Sequence, residues 1–161
     1  MQVIRDNDSS PASIDGCAAT IGVYDGVHLG HQAVIRATQA KADALGVATA
    51  VVTFDRHPAT ILRPENAPLQ LTTLDQKLEL LALAGVDCTY VVHFDEARSK
   101  EAAEDFVHEV LVDRLGAKAV VVGEDFHFGH QRRGNVAMLT EAGLRHGFTV
   151  DGLTLLANPT R

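Results

Sequence analysis

A chain of 161 residues with 46% hydrophobic side chains is long enough to build one domain around a sizeable core. Its net charge of −7 excludes a general grip on nucleic acid, which needs a surplus of Lys and Arg, so an anionic ligand must be held by a local site. No apolar signal core opens the sequence, no run approaches membrane-spanning length, and Cys17 and Cys88 lack C-x-x-C spacing; a reducing cytoplasm and no membrane partner are expected.

The opening, MQVIRDNDSSPASIDG, reads as a polar arm over residues 1–17. Beyond it, β-rich runs alternate with helical stretches. AATIGVY (18–24) leads through Gly26 and Gly30 into a helical pattern that Gly46 ends. ATAVVTF (48–54) follows, then RPENAP as a loop. Thr73 and Gln76 form a capping box before KLELLALAG, which Gly85 closes. After CTYVVHF (88–94), a third helix opens on Glu101, Glu104 and Asp105, acids that suit the positive end of the helix dipole, and closes at Gly116. KAVVVG (118–123), a fourth helix capped by Asn135, and FTVDGLTLL (148–156) complete the series. Five strands with four intervening helices predict an α/β fold, a Rossmann-like, doubly wound parallel five-stranded sheet with right-handed crossovers, in one domain over 18–161.

In such sheets ligands bind beyond the carboxyl ends of the strands, where strand order reverses. The loops there, Tyr24 to His31, Asp55 to Pro58, Asp95 to Arg98 and Gly123 to Gly134, hold five of the eight histidines and the pair Arg132 and Arg133. In TIGVYDGVHLGHQAVI a helix beginning near Gly30 or His31 points unpaired amides and its positive dipole end at the loop, an anion site before any side chain acts. His28 and His31 add directed donors on the first turn. Gly30 lets a phosphate approach the backbone, and Gly26 permits a tight exit from the strand. Blander readings stay open at this point: solvated or capping histidines, or a zinc site, which needs further ligands and here lacks H-E-x-x-H. A dinucleotide fingerprint fails, because G-x-G-x-x-G is absent.

GVYDGVHLGH resembles the H-x-G-H signature of the nucleotidyltransferase superfamily. TFDRHP and VGEDFHFGHQRRGN narrow the resemblance to the adenylyltransferase module of bacterial bifunctional FAD synthetases, which join riboflavin kinase to FMN adenylyltransferase. It runs from about Thr20 to Leu155. The resemblance implies a fold of nucleotidyltransferase type and transfer of AMP from ATP to FMN, with magnesium, giving FAD and pyrophosphate. His28 and His31 would be the catalytic pair, holding the ATP phosphates and stabilising charge on the transferring and leaving groups. Gly22, Tyr24, Asp25 and Gly30 would shape the nucleotide pocket, with Asp125 and Arg132 on its other side. Asp55, His57 and Pro58 would line the phosphate or flavin side with Phe126 and Phe128, although these two phenylalanines suit core packing equally well. No metal ligand is assigned. In the related fold the strands preceding VHLGH and GEDFHFG flank the switch point and bring the two motifs to opposite lips of one crevice.

Some positions depart from the family. Tyr24 replaces its usual phenylalanine and Arg56 its usual proline. The family continues with a Ser-Ser-Thr-x-Arg segment and a riboflavin kinase domain, neither of which this sequence contains. The resemblance therefore implies a chain that does not phosphorylate riboflavin, binds ATP weakly and makes FAD slowly or not at all. The alternatives are a nucleotide- or flavin-binding module without turnover, a nucleotidyltransferase for another small substrate, and a histidine-rich metal protein.

Overall fold

The computed structural model describes residues 1–6, 16–27, 29–66 and 70–154. Six strands form one sheet: β1 (Gln2–Arg5), β2 (Cys17–Ile21), β3 (Ala48–Phe54), β4 (Cys88–Val92), β5 (Ala117–Gly123) and β6 (Thr149–Leu153). Their spatial order is β1-β4-β3-β2-β5-β6, and every neighbouring pair is parallel. The α-helices are α1 (Leu29–Leu45), α2 (Ala59–Leu62), α3 (Leu74–Leu83), α4 (Glu96–Ser99), α5 (Ala103–Phe106) and α6 (Val136–His146); α5 runs on as a π-helical segment, Val107–Arg114.

Side-chain alternation along the strands sorts the core into two layers. Ala50, Val52 and Phe54 of β3 pack with Phe106, Val107, Val110, Leu111 and Leu139, beneath the α5 segment and α6. Val51 belongs to the opposite face, with Ile35 of α1 and Leu81 of α3. Helices thus cover both faces, as a doubly wound parallel sheet requires, and β2 and β4 are buried at every position. Cys17 and Cys88, which begin β2 and β4, are free and buried; burial pushes their thiols up to about 12 and about 11, so neither is a reactive thiolate at neutral pH. Among the described residues, no helix is long and apolar enough to cross a membrane.

The sheet has six strands rather than the expected five, and the extra one lies in the segment read as an arm. Gln2 to Arg5 pair with Cys88 to Val91 of β4, Ile4 is buried, and Cys17 already belongs to β2. This order comes from distant residues: the Asp6 carboxylate just after β1 accepts from Tyr90 Oη at 2.7 Å, His93 N at 2.6 Å and Arg98 Nη2 at 2.8 Å. Three strands also stop earlier than predicted, β6 among them, which ends at Leu153 within the run 148–156. The run 18–24 ends at Ile21 because Tyr24 takes a φ of 54° and turns the chain. The run 88–94 ends at Val92, where the N–H groups of His93 and Phe94 donate to Asp6 and Asp55 instead of a neighbouring strand.

Helix boundaries follow their local signals closely. Both halves of the capping box form, with Gln76 N donating to Thr73 Oγ1 at 3.1 Å and Thr73 N to Gln76 Oε1 at 2.8 Å. Asn135 Oδ1 caps α6 by accepting from Met138 N at 2.9 Å. Glu104 and Asp105 fall in the first turn of α5, and Glu101 precedes it. Within RPENAP, Pro64–Asn66 forms a 3-10 turn, while residues 67 and 68 lie outside the described residues.

Candidate active site

Strand order reverses between β2 and β5: β3, β4 and β1 lie to one side, and β6 to the other. The two strands are direct neighbours, with Ala19 registered on Val120. The loop carrying GVYDGVHLGH leaves the carboxyl end of β2, and the loop carrying EDFHFGHQRRGN leaves that of β5. They flank the crevice where open α/β sheets hold ligands.

The loop after β2 is tightly built. Tyr24 and Val27 adopt φ values of 54° and 44°, conformations that cost non-glycine residues roughly 1–3 kcal/mol each and persist only when neighbours over-determine them. Those neighbours are visible. The Tyr24 ring is buried, its hydroxyl shares a 2.7 Å hydrogen bond with Thr20 Oγ1, and its face meets the His31 ring with centroids 4.8 Å apart. Gly22 makes room for that ring, since a Cβ there would sit 2.9 Å from it. The hydroxyl that distinguishes Tyr24 from phenylalanine thus has a partner. Gln32 Nε2 closes the turn by donating to Val27 O at 3.2 Å.

Asp25 braces this loop. Its carboxylate accepts from Leu71 N, Thr72 N and Thr72 Oγ1 at 2.7, 2.9 and 2.8 Å, so it ties the loop to the segment before α3. Partial burial raises its pKa, but these hydrogen bonds and the charge of Lys77 outweigh that and hold it below the ordinary carboxylate value. Gly30 and His31 form the first turn of α1, a 17-residue helix whose amino end opens toward the crevice. His28 lies outside the described residues.

The second motif leaves β3 beside this loop. Asp55 serves structure: its carboxylate accepts from Phe94 N at 3.0 Å and pairs with His93 Nδ1 at 2.5 Å, tying the ends of β3 and β4 together. His57 and Pro58 lead into α2, Pro58 O accepting from the N–H groups of Ile61 and Leu62. Burial lowers the His57 pKa; the Asp25 charge opposes this, and Lys77 and Arg63 reinforce it. At pH 7 His57 is therefore a neutral imidazole within electrostatic reach of the first motif.

On the opposite lip, Phe128 N donates to Gly134 O at 3.1 Å and Gly134 N to Phe128 O at 2.8 Å, folding the third motif into a narrow loop. A Cβ at Gly134 would lie 2.6 Å from the Phe128 ring, so this closure requires glycine. Phe128 is buried against Phe106 and stacks on the half-buried Phe126, which places both in packing. The Asp125 and Arg132 side chains are exposed and bond to no described residue. Among the described residues, no group of three His, Cys, Asp or Glu side chains is arranged to hold a metal ion, so the metal-protein alternative finds no ligand set there.

Sequence reasoning missed Lys77. It is a buried lysine whose ammonium donates to Val23 O at 2.9 Å, Thr53 Oγ1 at 3.2 Å and Phe54 O at 2.9 Å. The signal was present: Lys77 stands four residues before buried Leu81, on the inward stripe of α3.

A doubly wound parallel sheet with a histidine-bearing loop and a helix amino end at its switch point defines a Rossmann-like fold of nucleotidyltransferase type. Residues 10–158 match the family model for FAD synthetase, and the chain belongs to that family. It is 42% identical to the bifunctional riboflavin kinase/FMN adenylyltransferase of Haemophilus influenzae over 151 residues, which cover 94% of this chain and 49% of that protein. The protein of the same name from Escherichia coli K12 is 36% identical over 93% of this chain and 48% of its own length. The chain thus spans about half the length of the curated relatives it matches. A solved structure described as a macrolide-efflux protein from Streptococcus pneumoniae superposes with a TM-score of 0.80 at 21% identity, over 99% of this chain and 54% of that one; this likeness bears on the fold alone.

Proposed function

We propose that this chain transfers AMP from ATP to FMN, yielding FAD and pyrophosphate. The observation that carries the reading is the β2/β5 switch point, whose two loops bear the motifs shared with a family named for FAD synthesis. A phosphate oxygen of FMN attacks the α-phosphorus of ATP, the bond from that phosphorus to the bridging oxygen breaks, and pyrophosphate leaves with the electron pair. No side-chain nucleophile is needed, so catalysis is positioning plus stabilisation of negative charge.

The amino end of α1 supplies backbone donors for the triphosphate, and His31, with His28, donates to the oxygens on which charge develops. Gly30 lets a phosphate approach the backbone, Gly22 makes room for the Tyr24 ring, and Tyr24 and Asp25 act by holding the loop's shape. Asp125 and Arg132 reach the substrates from the other lip; His57 and Pro58 flank the phosphates, and Phe126 and Phe128 support that wall from behind. Asp55 contributes by fixing the ends of β3 and β4. The magnesium expected with ATP is carried on the triphosphate as part of the substrate.

Incubation of the purified chain with ATP, magnesium and FMN, followed by chromatography, tests this. FAD and pyrophosphate formed in equal amounts support it. ATP binding without pyrophosphate release would make the chain a binding module, and pyrophosphate release with another phosphorylated acceptor but not FMN would reassign the substrate.

A further inference from the structure

The three donors of Lys77 reach the carboxyl ends of two adjacent strands, β2 through Val23 O and β3 through Thr53 Oγ1 and Phe54 O. Thr53 Oγ1 itself donates to Val23 O at 2.8 Å, so this carbonyl accepts from both side chains. Val23 directly precedes the strained turn Tyr24 to Val27, which opens into α1. The same stretch before and within α3 grips that turn a second time, through Leu71 and Thr72 on Asp25 and Gly26 N on Thr72 Oγ1 at 3.3 Å. All the partners bonded to Lys77 are neutral, and among the described residues no carboxylate lies within ion-pair distance of it. The carboxylates of Asp25 and Asp55 act on the ammonium from beyond that distance and partly offset its charge, so Lys77 acts on an anion at the amino terminus of α1 chiefly through the turn it holds.

We infer that Lys77 is a positioning residue for the triphosphate site: its ammonium fixes the Val23 to Val27 turn, and through it the start of α1. It touches no reacting atom, because its three donors are already engaged. Losing it lets the turn relax from its strained conformation and weakens the phosphate site, while an acceptor held by the other lip is little affected. This inference rests on the adenylyl-transfer reading for its rates, but not for its binding measurements.

The test compares the full chain with Lys77→Met, Lys77→Arg and the near-isosteric Thr53→Val, the last removing one donor from Val23 O should Lys77→Met fail to fold. Lys77→Met should raise the KM and Kd for ATP tenfold or more and leave the KM for FMN within twofold. Lys77→Arg, which keeps the charge and can reach the same carbonyls, should recover at least a third of the lost ATP affinity. Thr53→Val should shift ATP affinity threefold or more in the same direction. An unchanged ATP Kd in folded Lys77→Met, or in Thr53→Val, would overturn the inference, as would equal loss of ATP and FMN affinity, the mark of a merely structural lysine. A parent chain that binds ATP but makes no FAD would overturn adenylyl transfer, and the Kd comparison would still decide the role of Lys77. A parent that neither binds ATP nor makes FAD would overturn both.

Discussion

Asp25 and Thr72 close a ring of hydrogen bonds across 47 residues of sequence: Thr72 donates its backbone N–H and its hydroxyl to Asp25 Oδ1, and the same hydroxyl accepts from Gly26 N. The carboxylate expected to shape the nucleotide pocket thus fastens the loop after β2 to the segment before α3.

Asp25→Asn tests that fastening. The amide keeps one acceptor oxygen, so at least one bond to Leu71 or Thr72 is lost. Hydrogen bonds to charged groups contribute about 1.5–3 kcal/mol, and partial exposure reduces this to roughly 1–2 kcal/mol here. Because the folded-state pKa of Asp25 is depressed, its contribution is present above the unfolded carboxylate value and is lost as pH falls through the folded one. Urea denaturation should therefore show a stability gap between parent and variant at pH 7 that closes toward pH 3. A gap that stays constant over this range would mean that the charge of Asp25 contributes nothing.

His31 stands at the opposite extreme, in the first turn of α1, where substrate is proposed to bind. Replacing it with alanine removes a donor aimed at developing charge, a loss worth about 10²- to 10³-fold in rate. Stability should change far less than rate, even with the ring contact to Tyr24 lost; a fall of about 2–4 °C in Tm corresponds to roughly 1 kcal/mol. His28→Ala should behave alike. Initial rates of FAD formation beside melting curves check this, and an unimpaired His31→Ala would remove that residue from the mechanism.

The features legible in the sequence were those specified within a few residues. The capping box at Thr73 and Gln76, the Asn135 cap and the bounds of β3 each depend on neighbours within one turn or one run, and all appear where the sequence puts them. The illegible features are contacts between distant segments. Nothing in MQVIRD announces a strand, because what orders it is the meeting of Asp6 with Tyr90, His93 and Arg98. Asp25 and Asp55 read as substrate contacts because they sit in the right loops, but the direction of a carboxylate depends on which amides arrive from elsewhere in the chain, here Leu71, Thr72 and Phe94. A motif places a residue in a loop; it does not say whether its side chain bonds within the chain.

Asp125 faces outward from the turn after β5 without a described partner, so its substitution separates these two kinds of residue directly. Asp125→Ala should weaken binding of FMN or ATP at least several-fold in a titration while leaving the far-UV circular dichroism and the melting curve of the parent. Asp105→Ala, on the exposed side of α5, serves as the control and should change neither. A large loss of stability at unchanged affinity would make Asp125 a structural carboxylate.

Asp6 should show the reverse pattern, large in stability and small in chemistry. Its carboxylate is 15% exposed and Arg98 opposite it 12%, so the 2.8 Å pair between them is close to buried. Removing one member of a buried pair costs about 3–5 kcal/mol because the other charge is stranded. Arg98 keeps Glu101 at 2.7 Å and Glu109 at 3.1 Å, which lowers the expected cost of Asp6→Ala to about 2–3 kcal/mol. Tyr90→Phe removes only the 2.7 Å bond to Asp6 and should cost about 1 kcal/mol. In the double variant the Tyr90 cost should vanish, since its partner is already gone. Hydrogen exchange adds a local readout: the amides of Gln2 and Ile4, which face β4, should lose protection in Asp6→Ala before those of β3, because β1 is an edge strand held by this cluster. Urea denaturation of the three variants decides the matter. Additive losses, or β1 amides as protected as in the parent, would show that Asp6 does not hold the first strand in place.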